Sequence, residues 1–181
     1  MYGLVNKAIE GLVCKQFGED TWFQIVDRAG VDADSFISMD PYPDEITYRL
    51  VGAASETLDI PADDLLEAFG VYWIQYVGSR GYGPLMNLEN RELFEFLEDL
   101  DQMHSRVADT MPELRPPRFT AERLGPKQLR MHYHSDRAGL GPMVAGLLRG
   151  LLQVKELEGE IRWTAKRSEG APHEIFEVTL Q

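Results

Sequence analysis

"LRMHYHSDR", residues 129–137, decides how the rest of the chain is read. Strand side chains alternate between two faces, so a β reading puts Leu129, Met131, Tyr133, Ser135 and Arg137 on one face. That face runs from apolar to hydroxyl, hydroxyl and guanidinium. Three donors in a row at the end of an apolar face call for an anion close by. His134 and Asp136 fall on the opposite, outer face.

Working outward, RFTAERL (118–124) and KQLRMHYHS (127–135) read as two strands joined by a tight turn at Gly125–Pro126. PMVAGLLRGLLQVKEL (142–157) follows as a helix, and EIRWTAKR (160–167) and HEIFEVTL (173–180) close the chain as strands. Upstream, the pattern is helical. Val5, Ile9 and Leu12 keep helical spacing, and Trp22 with Val26 begin a second segment that Gly30 can stop. Pro41 and Pro43 interrupt the chain before DEITYRLVGAASETL (44–58). Pro61 opens PADDLLEAFGVYWIQYV (61–77), with Asp63 and Asp64 suited to the positive helix start. Leu66, Phe69, Trp73 and Tyr76 share one of its faces. SRGYGPLMN (79–87) reads as an irregular loop. RELFEFLEDLDQMHSRVADTM (91–111) reads as one helix, ended by the double proline of LRPPRF (114–119). Helices first and then a small antiparallel sheet crossed by one helix make an α+β chain.

The bulk numbers limit the function. The 181 residues suit a single domain, 44% apolar and 27% charged, with a net charge of −12. Nucleic acid and anionic membrane both require a basic patch, so neither is the expected partner. Cys14 stands alone, which excludes an internal disulfide, a thiolate metal cluster and covalent CxxCH attachment of haem. MYGLVNKAIEGLV lacks the charged start of a secretion signal. FGVYWIQYVG and MVAGLLRGLL are too short to cross a bilayer. The expectation is a cytoplasmic protein that is not an enzyme. A hydrolase built on His134, Ser135 and Asp136 fails, because Ser135 would face away from both neighbours and no G-x-S-x-G elbow exists.

Leu93, Leu97, Leu100, His104 and Val107 step by four, three, four and three, which makes one helix stripe. His104 on that stripe is either a buried neutral histidine bonded to a backbone carbonyl or a metal ligand. No second histidine sits at i+3 or i+4 and no thiol is at hand, so a multi-ligand zinc site here lacks support. A haem iron needs only one protein ligand, and the two haem propionates would be anions for Tyr133, Ser135 and Arg137. Two other readings stay open. His132 and His134 share a strand face, and with His173 could hold zinc or copper, against the plainer reading of a solvated polar face. A carboxylate or tetrapyrrole binding module without haem iron would also use Arg137.

MYGLVNKAIE, YRLVGAAS, LLEAFGVYW, LDQMHSRV, LRPPRF and YHSDR together resemble the haem nitric-oxide/oxygen-binding (H-NOX) family, which includes the regulatory haem domain of the soluble guanylate cyclase β subunit. YHSDR fits the family's Y-x-S-x-R pattern, and stand-alone cyanobacterial-type members are the nearest in character. The resemblance implies one H-NOX domain over 1–181. It comprises a helical distal lobe (about 1–60) and a proximal lobe (about 61–181) with a four-stranded antiparallel sheet, and its helices pack around a buried haem b. His104 would be the iron ligand, Tyr133, Ser135 and Arg137 would bind the propionates, and Pro117 would press on the porphyrin. Val5, Ile9, Trp73, Met143 and Leu147 would line the distal wall.

The resemblance further implies a sensor of nitric oxide and carbon monoxide. Loss of the iron–histidine bond would shift the conformation read by a partner, such as a histidine kinase, a cyclic-nucleotide enzyme or a methyl-accepting receptor. Oxygen-binding members place a tyrosine a few residues after the arginine. Here Pro142 takes that place, so stable oxygen binding is not expected unless the Trp73 indole donates in its stead.

Overall fold

The structure, a computed structural model, describes residues 1–32, 36–78, 90–111 and 113–181; the 79–87 loop lies outside the described residues. The chain divides into two compact units, Met1–Phe69 and Gly70–Gln181.

The first unit is helical. Its helices are α1 (Gly3–Phe17), α2 (Glu19–Ala29) and α3 (Asp44–Leu58), and α4 (Ala62–Val77) starts within it. Gly30 ends α2 in the left-handed conformation (φ 60°, ψ 42°), which costs glycine nothing. Trp22, Ile25 and Leu50 are buried where α2 packs on α1 and α3. Fully buried Asn6 of α1 accepts a 2.7 Å hydrogen bond from Thr47 Oγ1 of α3.

The second unit is built on a four-stranded antiparallel sheet in the order β1-β2-β4-β3. Its strands are β1 (Arg118–Gly125), β2 (Gln128–His134), β3 (Gly159–Ala165) and β4 (Glu174–Leu180). Leu129, Met131 and Tyr133 alternate with half-buried or exposed neighbours, as the period-two pattern requires, and join Phe176 and Val178 in the core. The opposite face carries one ionic rung across all four strands: Glu122, Arg130, Glu177 and Arg162, paired in that order. Helix α7 (Gly141–Val154) packs on β3 and β4.

Three sequence expectations are corrected. The segment 91–111 is two helices, α5 (Leu93–Glu98) and α6 (Leu100–Thr110), because Asp99 leaves helical geometry (φ −94°, ψ 2°). Aspartate is a poor interior helix residue, and here the Asp99 carboxylate pairs with Arg91. The apolar stripe is divided with it: Leu93 and Leu97 are core, whereas no residue of α6 is fully buried. Second, β2 stops at His134, so Ser135 and Arg137 are placed by a turn and not by strand alternation. Third, the β1–β2 turn falls on Pro126–Lys127, with Gly125 still in β1.

Candidate functional site

His104 sits in the middle of α6, where burial pushes its pKa below the ordinary value. Asp101, one turn earlier, opposes that shift without overcoming it. The ring is therefore neutral at pH 7, the form that ligates a metal. Its Nδ1 is buried and has no hydrogen-bond partner among the described residues. A buried polar atom left unpaired costs about 1–3 kcal/mol, so the position suits a group that coordinates imidazole. The His104 ring lies 5.5 Å from the Phe119 ring, and Phe119 lies 5.2 Å from Tyr133. Phe119 N–H donates to Asp101 Oδ1 at 3.0 Å, which ties the histidine helix to the first residues of β1.

Tyr133 points into the core from β2, 4% exposed. Ser135 and Arg137 follow in a tight turn in which Arg137 N–H donates to Ser135 Oγ at 3.1 Å. Arg137 Nη1 donates to the Arg115 carbonyl at 2.7 Å, just ahead of half-buried Pro117. The segment LRPPRF and the end of Y-x-S-x-R are thereby joined. His104, Pro117, Tyr133, Ser135 and Arg137 all belong to the second unit, on neighbouring elements. The donor set is what a haem needs, namely a neutral imidazole and a tyrosine–serine–arginine group for carboxylates.

The residues expected on the distal wall are distributed over both units. Trp73 is half-buried and stacks on Tyr76 at 6.3 Å. Met143 and Leu147 are half-buried on α7. The backbone there approaches α4 so closely that a Cβ on Gly70 would stand 2.2 Å from the Met143 carbonyl oxygen. Val5, half-buried, and Ile9, buried, lie on α1 in the first unit. Pro142 lies in the first turn of α7 and offers no N–H.

The outer-face histidines do come together. His132 Nδ1 and His173 Nε2 are 2.8 Å apart, and His134 stacks on His173 at 4.0 Å. Two of the nitrogens meet each other instead of a shared centre. Among the described residues no three His, Cys, Asp or Glu are arranged to hold a metal ion.

Comparison with known proteins fixes the family. The family described as haem-NO-binding matches residues 2–162. The chain belongs to the haem-NO-binding family. It is 32% identical over 152 residues to soluble guanylate cyclase gcy-32 of Caenorhabditis elegans, covering 82% of this chain and 22% of that one. It is 31% identical over 157 residues to gcy-34 of the same organism, covering 85% of this chain and 23% of the relative. The chain therefore spans about 22% of the length of these curated relatives. In structure it is similar to an H-NOX protein from S. oneidensis in the Fe(II) ligation state, with a TM-score of 0.90, 22% identity, and coverage of 100% of this chain and 96% of that one. An H-NOX protein from K. algicida in the Fe(II) unliganded state gives a TM-score of 0.87 at 21% identity, covering 100% of this chain and 97% of that one. The H-NOX fold is thus shown, as is membership in a family of haem-binding gas-sensor domains. Among the described residues no helix is long and apolar enough to cross a membrane.

Two residues of this H-NOX chain escape a reading by motif. Phe119 links His104 to Tyr133, and the only hint in the sequence is its inward strand parity two residues after Pro117. Asp101 anchors β1, and its spacing of three from His104 puts it on the same helix face. Its partner is a backbone N–H, and a sequence cannot display that.

Proposed function

We propose that this H-NOX domain is a haem-based sensor of nitric oxide and carbon monoxide, with His104 as the single protein ligand of a b-type haem. His104 would hold the iron, and its release would shift α6 and so the conformation that a separate signalling protein reads. The partner is a histidine kinase, a cyclic-nucleotide enzyme or a methyl-accepting receptor. One observation carries the reading: the half-buried His104 has a buried Nδ1 with no hydrogen-bond partner among the described residues, on a helix tied through Asp101 to β1, which pairs with the strand that leads to the carboxylate clamp. A bound haem supplies a ferrous iron that takes a diatomic gas.

Tyr133, Ser135 and Arg137 hold the propionates, and the arginine supplies the charge-assisted contact. Pro117 stiffens the chain beside the Arg115 carbonyl on which Arg137 is seated. Asp101 keeps α6 in register with β1, so displacement of His104 is passed to the sheet. By the resemblance, Pro142 takes the place of the tyrosine that oxygen-binding members carry and has no N–H to donate, which leaves the Trp73 indole as the alternative donor. A hydrogen bond involving a charged partner is worth about 1.5–3 kcal/mol, enough to separate the gases. The H-NOX protein of S. oneidensis has been solved in Fe(II)NO and Fe(II)CO states, which supports the same pair of gases here.

Absorption spectra of the reduced protein, alone and with nitric oxide, carbon monoxide or air, test the proposal. Shifted spectra are expected with the first two gases and none in air. A stable spectrum of an oxygen adduct in air would sink the gas assignment. His104→Gly should lose iron ligation and regain it with added imidazole; indifference to that substitution would point to a carboxylate binder without haem iron.

A further inference from the structure

Once β2 ends at His134, ladder hydrogen bonds no longer hold the chain, yet the residues that follow need a defined shape to grip an anion. The Ser135 carbonyl accepts a 2.9 Å hydrogen bond from Arg167 Nη1, contributed by the β3–β4 connection 32 residues downstream. An exposed arginine does not hold one geometry by itself. Here its backbone is fixed, because Arg167 N–H donates to Glu174 Oε2 at 3.1 Å. The same carboxylate oxygen accepts Trp163 Nε1–H at 3.0 Å. Glu174 is 6% exposed, and a buried carboxylate with two N–H donors makes a strong, oriented joint. Gly170, at φ +94°, lets the chain turn back after Arg167–Glu169.

The Trp163 ring occupies the space beside Gly141, where a Cβ would come within 2.2 Å of it. The connection 135–141 is therefore held at one end by Arg167 and at the other by Trp163, both oriented by Glu174. Arg137 lies between the two anchors.

We infer that Arg167 is a positioning residue, seated by Glu174, that holds the Ser135–Arg137 turn in the shape the propionate clamp requires. The inference rests on the clamp reading above and adds a residue that no motif of the site contains.

The test uses the full haem-loaded chain and its Arg167→Met and Arg167→Lys variants. Amide hydrogen exchange across 135–141 reports the turn directly. Transfer of haem to an excess of scavenging apoprotein reports its consequence. Loss of the charge-assisted bond at a partly solvated site should speed both by about three- to tenfold. Arg167→Lys should fall between, because an ammonium can still donate to the carbonyl. In an Arg137→Ala background Arg167→Met should add nothing to the rate of haem loss. Unchanged exchange in Arg167→Met overturns the inference, and so does a haem-loss effect that simply adds to that of Arg137→Ala. Faster exchange together with normal haem retention in Arg137→Ala supports the latch while overturning the clamp, so the two failures are distinguishable.

Discussion

Arg137 and His134 lie three residues apart in one short motif, and their surroundings predict opposite behaviour. Arg137 is half-buried, its backbone bonded to Ser135 and its guanidinium directed to the Arg115 carbonyl. His134 is exposed on the outer face, stacked on His173. Arg137→Ala should speed haem loss about tenfold, the loss of one charge-assisted contact, whereas His134→Ala should leave the rate within experimental error. Equal behaviour of the two variants in a haem-transfer assay would show that the face assignment is wrong. Strand alternation accounts for the exposed outer position of His134, the last residue of β2, but Arg137 lies beyond the strand and owes its place to a turn.

Two close approaches between elements carry further predictions. Asp101 joins α6 to β1 through one hydrogen bond to Phe119 N–H. Asp101→Ala would leave that amide without its partner and should cost about 1–3 kcal/mol, read as a lowered urea midpoint. Gly70 sits where α4 meets the Met143 carbonyl, with no room for a methyl group. Gly70→Ala should destabilise the protein by about 1–3 kcal/mol through overpacking, visible as a fall in Tm. An unchanged Tm would mean that α4 and α7 separate freely. Among the described residues, the helical segments were legible in the apolar periodicity. The break at Asp99 was not, because the stripe keeps its spacing across a kink and only the packing partners change.

For the molecule as a whole, acid should be the weak side. Burial and the neighbouring His173 lower the pKa of His132 and His134 below 6.5, with Arg130 and Arg118 adding to the shift and Glu122 opposing it at His132. The unfolded chain then binds more protons than the folded one, so stability is fully present above pH 6.5 and falls as the pH drops below it. Glu177 extends the trend. Hydrogen bonding by Arg130 and Arg162 holds its carboxyl below the usual range, and its contribution disappears further down as that group takes up its proton. Urea midpoints between pH 7 and 5 should decline in the natural sequence and decline less in a His132→Gln/His134→Gln variant. An identical slope would show that the outer-face imidazoles do not sense the fold.

The sequence alone determined the α+β class, the four strands, and the residues from which a haem site could be made. These follow from local causes: period-two and helical spacing, prolines that end segments, and residue types whose chemistry is visible one at a time. Tertiary structure decided what those residues touch. It placed Phe119 between His104 and Tyr133, ended β2 one residue before Ser135, and gathered His132, His134 and His173 without a common centre. It also brought Arg167 to the Ser135 carbonyl, across 32 residues. Such contacts depend on strand order and register, and the antiparallel order β1-β2-β4-β3 that sets His173 beside His132 is a property of the packed sheet, not of any one segment.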